Sequence, residues 1–136
     1  MRLSLQTDYA LRTLMYLGTM GGRFSVEQVA SFYQISGDHV AKVVSQLARL
    51  GFVRSIRGLG GGIELGKPAT EIFLGDVIAA FEGPCHLLEC LGREGVCVIE
   101  SYCKLKKALA KAETLQRDYL NGISLQDLLP ARKQLK

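Results

Sequence analysis

The chain has 136 residues, 48% of them hydrophobic and 22% charged, with four Cys and no Trp, a balance that suits one globular domain plus an accessory element. No apolar run approaches the ~18 residues of a membrane span, and no signal-peptide pattern follows Met1-Arg2-Leu3. A cytoplasmic location is therefore expected, with no membrane partner and with reduced cysteines rather than structural disulfides. The net charge of +4 lies wholly in the first half: residues 1–68 hold eight Lys/Arg against four Asp/Glu, and residues 69–136 hold nine of each.

Residues 5–20 read as a first helix, with Leu5, Ala10, Leu11, Leu14, Met15 and Leu17 near helical spacing and Gly18, Gly21 and Gly22 stopping it. Ser25 opens a second helix, with Gln28 completing a capping box and Val26, Val29, Ala30 and Phe32 pointing inward. After the turn Tyr33-Gln34-Ile35, Ser36 caps a third helix with the apolar stripe Val40, Val43, Val44 and Leu47, ended by Gly51. Two short strands follow, Phe52 to Ile56 and Ile63 to Leu65, joined by Arg57-Gly58-Leu59-Gly60-Gly61-Gly62. A fourth helix spans Leu74 to Phe81, and Gly83-Pro84 breaks it. Residues 84–103 form a loop that holds all four cysteines. A long helix runs from about Cys103 to Leu120 with Leu105, Ala108, Leu109, Ala112, Leu115 and Tyr119 on one face, and Ser124 caps a last short helix.

Two short helices followed by a β-hairpin make a winged helix-turn-helix. Its second helix enters a DNA major groove with N-terminal residues leading, here Ser36, Asp38, His39 and Lys42. The hairpin is the wing, with Arg54 and Arg57 flanking a tip whose Gly60 and Gly61 allow close approach to the minor groove. Gly61 to Lys67 also matches a phosphate-loop pattern, but Pro68 stands where a magnesium-binding hydroxyl belongs and the segment follows a turn, so that reading is set aside.

Cys90, Cys97 and Cys103 lie in a C-x6-C-x5-C array on a loop that ends at a helix start. Thiolates suit iron–sulfur clusters and zinc, and the spacing matches neither zinc ribbons nor bacterial ferredoxins. By chemistry alone a cluster, a zinc ion, a thiol switch and unconnected cysteines all stay open. Cys85 and His86 are a leftover pair, with Cys85 treated as a free thiol.

The combination of Met1-Arg2-Leu3 with Thr7-Asp8-Tyr9-Ala10-Leu11-Arg12, Val53 to Gly58 with Gly61-Gly62-Ile63, Leu65 to Pro68, Gly75-Asp76-Val77 and the three cysteines resembles the iron–sulfur winged-helix regulators of bacteria, the family of IscR, NsrR and RirA. The resemblance covers residues 1 to about 130. It implies a transcriptional repressor, not an enzyme, that binds an iron–sulfur cluster on Cys90, Cys97 and Cys103. Lys106 stands where IscR-like proteins carry a His ligand, whereas Asp8 stands where NsrR-like proteins supply an Asp from the partner subunit. The likeness thus favours an NsrR-type sensor of nitric oxide with a [4Fe–4S] rather than a [2Fe–2S] cluster. The C-x6-C gap is longer than the usual NsrR one, which keeps sensing of iron or cluster supply, as in RirA or IscR, as the alternative; from another class, an electron-transfer or cluster-carrier protein needs no helix-turn-helix.

The expected architecture is mainly α, a winged helix-turn-helix with a long C-terminal dimerisation helix. Its parts are a DNA-binding domain at 1–82, a cluster-binding loop at 83–103, and a dimerisation helix and tail at 104–136. The expected assembly is a homodimer on palindromic double-stranded DNA.

Overall fold

The structure, a computed structural model, describes residues 2–84 and 86–135. Its elements in chain order are α1 (Leu5–Met20), α2 (Val26–Tyr33), α3 (Gly37–Arg49), β1 (Val53–Ile56), β2 (Gly62–Leu65), α4 (Leu74–Glu82), α5 (Glu89–Gly92), α6 (Lys104–Asn121) and α7 (Leu125–Leu128). Single 3-10 turns cover Ala69–Glu71, Glu100–Tyr102 and Arg132–Leu135. The mainly helical winged-helix class expected from the sequence is the one observed.

The first three helices each start where a short polar side chain can take an orphan amide, whereas α4 follows Phe73 without a side-chain cap. Ser4 accepts the Thr7 N–H, Ser25 and Gln28 form a reciprocal capping box, and Ser36 accepts the His39 N–H; near the C-terminus Ser124 accepts the Asp127 N–H. α1 and α3 cross over a core of Leu14, Leu17, Val29, Val40 and Leu47, all buried. Burying such a side chain contributes about 1.5–3 kcal/mol, so this cluster dominates the stability of the first 50 residues. Two sequence expectations fail at its edge. Leu5 is exposed, because the first turn of α1 overhangs the core, and Phe32 is half out of it, stacked in a ring group with Tyr16 and Tyr33.

β1 and β2 pair antiparallel with Val53 opposite Leu65 and Ile56 opposite Gly62. Phe24 adds a two-bond bridge to Ile63, which ties the wing to the helical core. The chain then returns twice to the same base. The Leu74 N–H donates to the Ile123 carbonyl at 2.8 Å and the Leu125 N–H to the Ile72 carbonyl at 2.6 Å. Leu125 and Ile72 are both buried in the common core. Gly75 explains the close packing of α4 on α6: a Cβ there would lie 1.8 Å from Asn121 Oδ1. The foot of α6 is therefore fixed to the winged domain, while its start leaves the core carrying the cysteine loop.

Candidate functional site

α3 presents Asp38, His39 and Lys42 to solvent on the face opposite Val40, Val43 and Leu47. Ser36 is also exposed, but its hydroxyl oxygen is engaged by the His39 amide at 3.4 Å. Its hydroxyl hydrogen stays open to an acceptor. Next to these residues, Leu5, Gln6 and Tyr9 of α1 and His39, Lys42 and Gln46 of α3 line a groove of about 270 Å³.

The wing is more constrained than its sequence suggests. Arg54 Nε donates to Glu64 at 2.9 Å, and Arg23 Nε donates to the same carboxylate at 3.1 Å. Those two guanidinium groups, Arg54 first, hold Glu64 below the ordinary carboxylate range. Arg23 also reaches across to the Gly60 carbonyl at 3.2 Å. Gly61 is required by close approach, since a Cβ there would meet the Ile56 carbonyl oxygen at 2.3 Å. Arg57 is exposed and takes part in none of the ion pairs among the described residues, and Leu59 stands fully in solvent at the tip. Of the two wing arginines, Arg54 is thus engaged by Glu64 and Arg57 is free for a phosphate or a minor groove. Arg23 and Glu64 were not singled out from the sequence; pairing across a hairpin register could have found Arg54–Glu64, but Arg23 comes from a distant turn.

The cysteine segment is not featureless. Cys90 lies half-buried in α5, Cys97 is exposed before the 3-10 turn, and Cys103 is the N-cap of α6. The Lys106 amide donates to Cys103 Sγ at 3.3 Å. All three thiols are free. Cys85 lies outside the described residues. His86 Nδ1 meets Glu113 Oε2 at 3.2 Å, and the Leu87 amide donates to Glu113 Oε1 at 2.6 Å. Glu113 titrates below the usual range, chiefly through that amide. Further along, Glu100 accepts the Gly95 amide at 2.6 Å and pairs with the Lys106 ammonium, which pushes Glu100 down and Lys106 up.

No group of three or more His, Cys, Asp or Glu side chains among the described residues is arranged to hold a metal ion. The donor set fits an iron–sulfur group in its chemistry, being three soft, free thiols, one of them, Cys103, at the start of α6. The single chain does not draw the three sulfurs into one shell, so a bound group would require the loop to close further. Asp8 is on α1, remote in sequence from that loop, and it accepts from Arg12 Nε at 3.0 Å in an i,i+4 pair. Arg12 in turn lies over the Tyr33 ring, 5.6 Å from its centroid. Within one chain Asp8 is therefore an ordinary first-turn acid with a local partner.

None of the side chains of α6 is fully buried. Leu105, Ala108, Ala112, Leu115 and Tyr119 recur at intervals of three and four residues, and Leu105, Leu115 and Tyr119 stand well out in solvent. That leaves α6 with an apolar stripe open to solvent in the single chain. Lys106, Leu109, Ala110 and Glu113 lie on the more covered side of the helix, where Lys106 and Glu113 bond the cysteine segment.

Comparison with known proteins agrees with this layout. CymR (YrzC), the global cysteine regulator of B. subtilis, is 25% identical, with 94% of this chain and 95% of that one covered and a TM-score of 0.79. Staphylococcus aureus CymR is 30% identical over 92% of this chain and 95% of that one, with a TM-score of 0.72. T. potens IscR, at 22% identity, shares the fold over 94% of this chain and 85% of its own, with a TM-score of 0.75. The family model of Rrf2, an iron-dependent transcriptional regulator, matches residues 3–131. The chain belongs to the Rrf2 family of transcriptional regulators.

Proposed function

We propose that this regulator is a cytoplasmic homodimer that represses transcription from a palindromic operator, and that an iron–sulfur cluster on Cys90, Cys97 and Cys103 sets its affinity for DNA. The observation that carries the reading is three free thiols on a segment strung between the winged domain and the start of α6. Ser36, Asp38, His39 and Lys42 would meet the major groove, and Arg54, Arg57, Gly60 and Gly61 the minor groove beside it. In functional terms residues 1–82 read DNA, 83–103 sense, and 104–136 dimerise.

When bound, a cluster supplies iron open to attack by nitric oxide, and a [4Fe–4S] centre suits an NsrR-like sensor. The chain's own residues do the rest. The three cysteines would hold such a group as the loop closed on it, and Asp8 of the partner subunit, once released from Arg12, would complete the ligand set and tie the loop to a DNA-reading domain. Loss of those ties shifts the dimer between two arrangements, and operator affinity changes by the difference in their stabilities. Sensing of iron or cluster supply is the second reading, favoured by the iron dependence of the matching family.

Anaerobic purification followed by iron, sulfide and zinc analysis tests the cofactor. Cys90→Ala, Cys97→Ala and Cys103→Ala are each expected to abolish the cluster, and Cys85→Ala to leave it. Nitric oxide titration against operator binding then separates the two signals, with an unchanged affinity sinking the nitric-oxide reading. Stoichiometric zinc without iron would sink both.

A further inference from the structure

The cysteine segment is held at two points by carboxylates, and each bond has a different reach. Glu113 fixes residues 86 and 87, where the segment leaves α4. Glu100 fixes Gly95 on one side of Cys97 and Lys106 on the far side of Cys103. Gly95 adopts φ +72°, a conformation L side chains avoid, which turns its amide to that carboxylate. The Glu100 amide in turn donates to the Cys97 carbonyl at 3.2 Å, closing a small ring around Cys97. Lys106 is joined to Cys103 through its own amide, at 3.3 Å from Sγ. One ion pair therefore spans from the ring around Cys97 to the sulfur of Cys103. Both members are largely shielded, with the Lys106 and Glu100 side chains 25% and 19% exposed.

We propose that Glu100 and Lys106 form a clamp that ties the ring around Cys97 to the start of α6 at Cys103 before any metal arrives, with Lys106 acting as a positioning residue. A free segment of about 20 residues must lose closure entropy to gather its thiols. Dividing it with a fixed ring removes part of that loss in advance.

This inference rests on the cysteine assignment above, and its first test needs no metal. In the metal-free, reduced full-length protein, E100A and K106M are each expected to speed hydrogen exchange at the Gly95 amide about tenfold, the loss expected for one charge-assisted bond. K106R should restore the wild-type rate, because guanidinium still pairs with Glu100. Unchanged exchange in both E100A and K106M overturns the clamp. The second test is reconstitution with ferrous iron and sulfide, followed by visible absorbance. E100A and K106M should lower the cluster yield at limiting iron and K106R should recover it. A loosened loop with undiminished yield overturns the positioning role. A wild-type protein that takes up no cluster overturns the functional reading instead, and leaves the exchange result to decide the clamp.

Discussion

Asp8 shows how one residue can satisfy a local rule and still be open to another task. Its carboxylate pairs with Arg12 one turn on, and both side chains are 42% exposed, so the pair contributes only about 0.2–0.5 kcal/mol. Releasing Asp8 to the ligand role proposed above would therefore cost little. Asp8→Ala is expected to leave thermal stability nearly unchanged, to retain most of the cluster on three cysteines, and to alter its visible spectrum and its response to nitric oxide; an unaltered spectrum would confine Asp8 to its helix. Glu82 is the opposite case, a residue without a signal in the sequence. Its carboxylate accepts the Thr7 hydroxyl at 2.6 Å and the Ser4 amide at 2.6 Å, which joins the end of α4 to the start of α1. The Thr7 hydroxyl, then the Ser4 amide, depress its pKa from 4.5. A depressed carboxylate contributes stability that is present above the unfolded value and is lost as pH falls through the folded one. Glu82→Gln is thus expected to lower the melting temperature near neutral pH and to flatten the loss of stability below about pH 4.5. Melting curves across the acid range, from near neutral pH downward, would show this.

At the scale of elements, the wing is a hairpin whose outer edge is braced by Arg23 and Arg54 on a shared Glu64. That leaves Arg57 on the wing and Lys42 on α3 as cations free to neutralise phosphates. Arg57→Ala and Lys42→Ala should each weaken operator binding and reduce the slope of log K against log salt by about 0.9 for each phosphate no longer neutralised. The dimer and the cysteine site should be untouched. A slope equal to wild type in both variants would remove these residues from the interface. Arg54 is expected to act differently, because its removal frees Glu64 and unsettles the hairpin as well as any approach to DNA. Capping signals made three helix starts legible: Ser25 with Gln28, and Ser36 and Ser124, act in the fold as their spacing implied. α5 and the 3-10 turn at Glu100–Tyr102 were not legible, because elements this short lack periodicity and, unlike α7, neither has a capping side chain to announce it.

In the whole molecule, α6 is anchored at its foot and bare along one side. Leu105, Leu115 and Tyr119 are 60%, 60% and 72% exposed, an apolar seam about 20 Å long at 1.5 Å per residue. A second copy of the helix in antiparallel register would cover it and set two recognition helices on one face of DNA. Leu115→Lys is expected to shift the protein toward monomer in sedimentation at micromolar concentration while its circular dichroism stays helical. Operator affinity should fall roughly tenfold or more as the two half-sites uncouple. A variant that stays dimeric would move the interface elsewhere. The order of the longer helices, the hairpin and the exposed face of α3 were readable from the sequence, because they depend on caps, periodicity and spacing within a short stretch of chain. Only the tertiary structure decided that Arg23 braces the wing, that Glu82 ties α4 to α1, and that Glu100 and Glu113 grip the cysteine segment. Those bonds join residues from separate elements or from opposite ends of an irregular segment, and no local pattern records which carboxylate an amide will reach once the chain has turned back on itself.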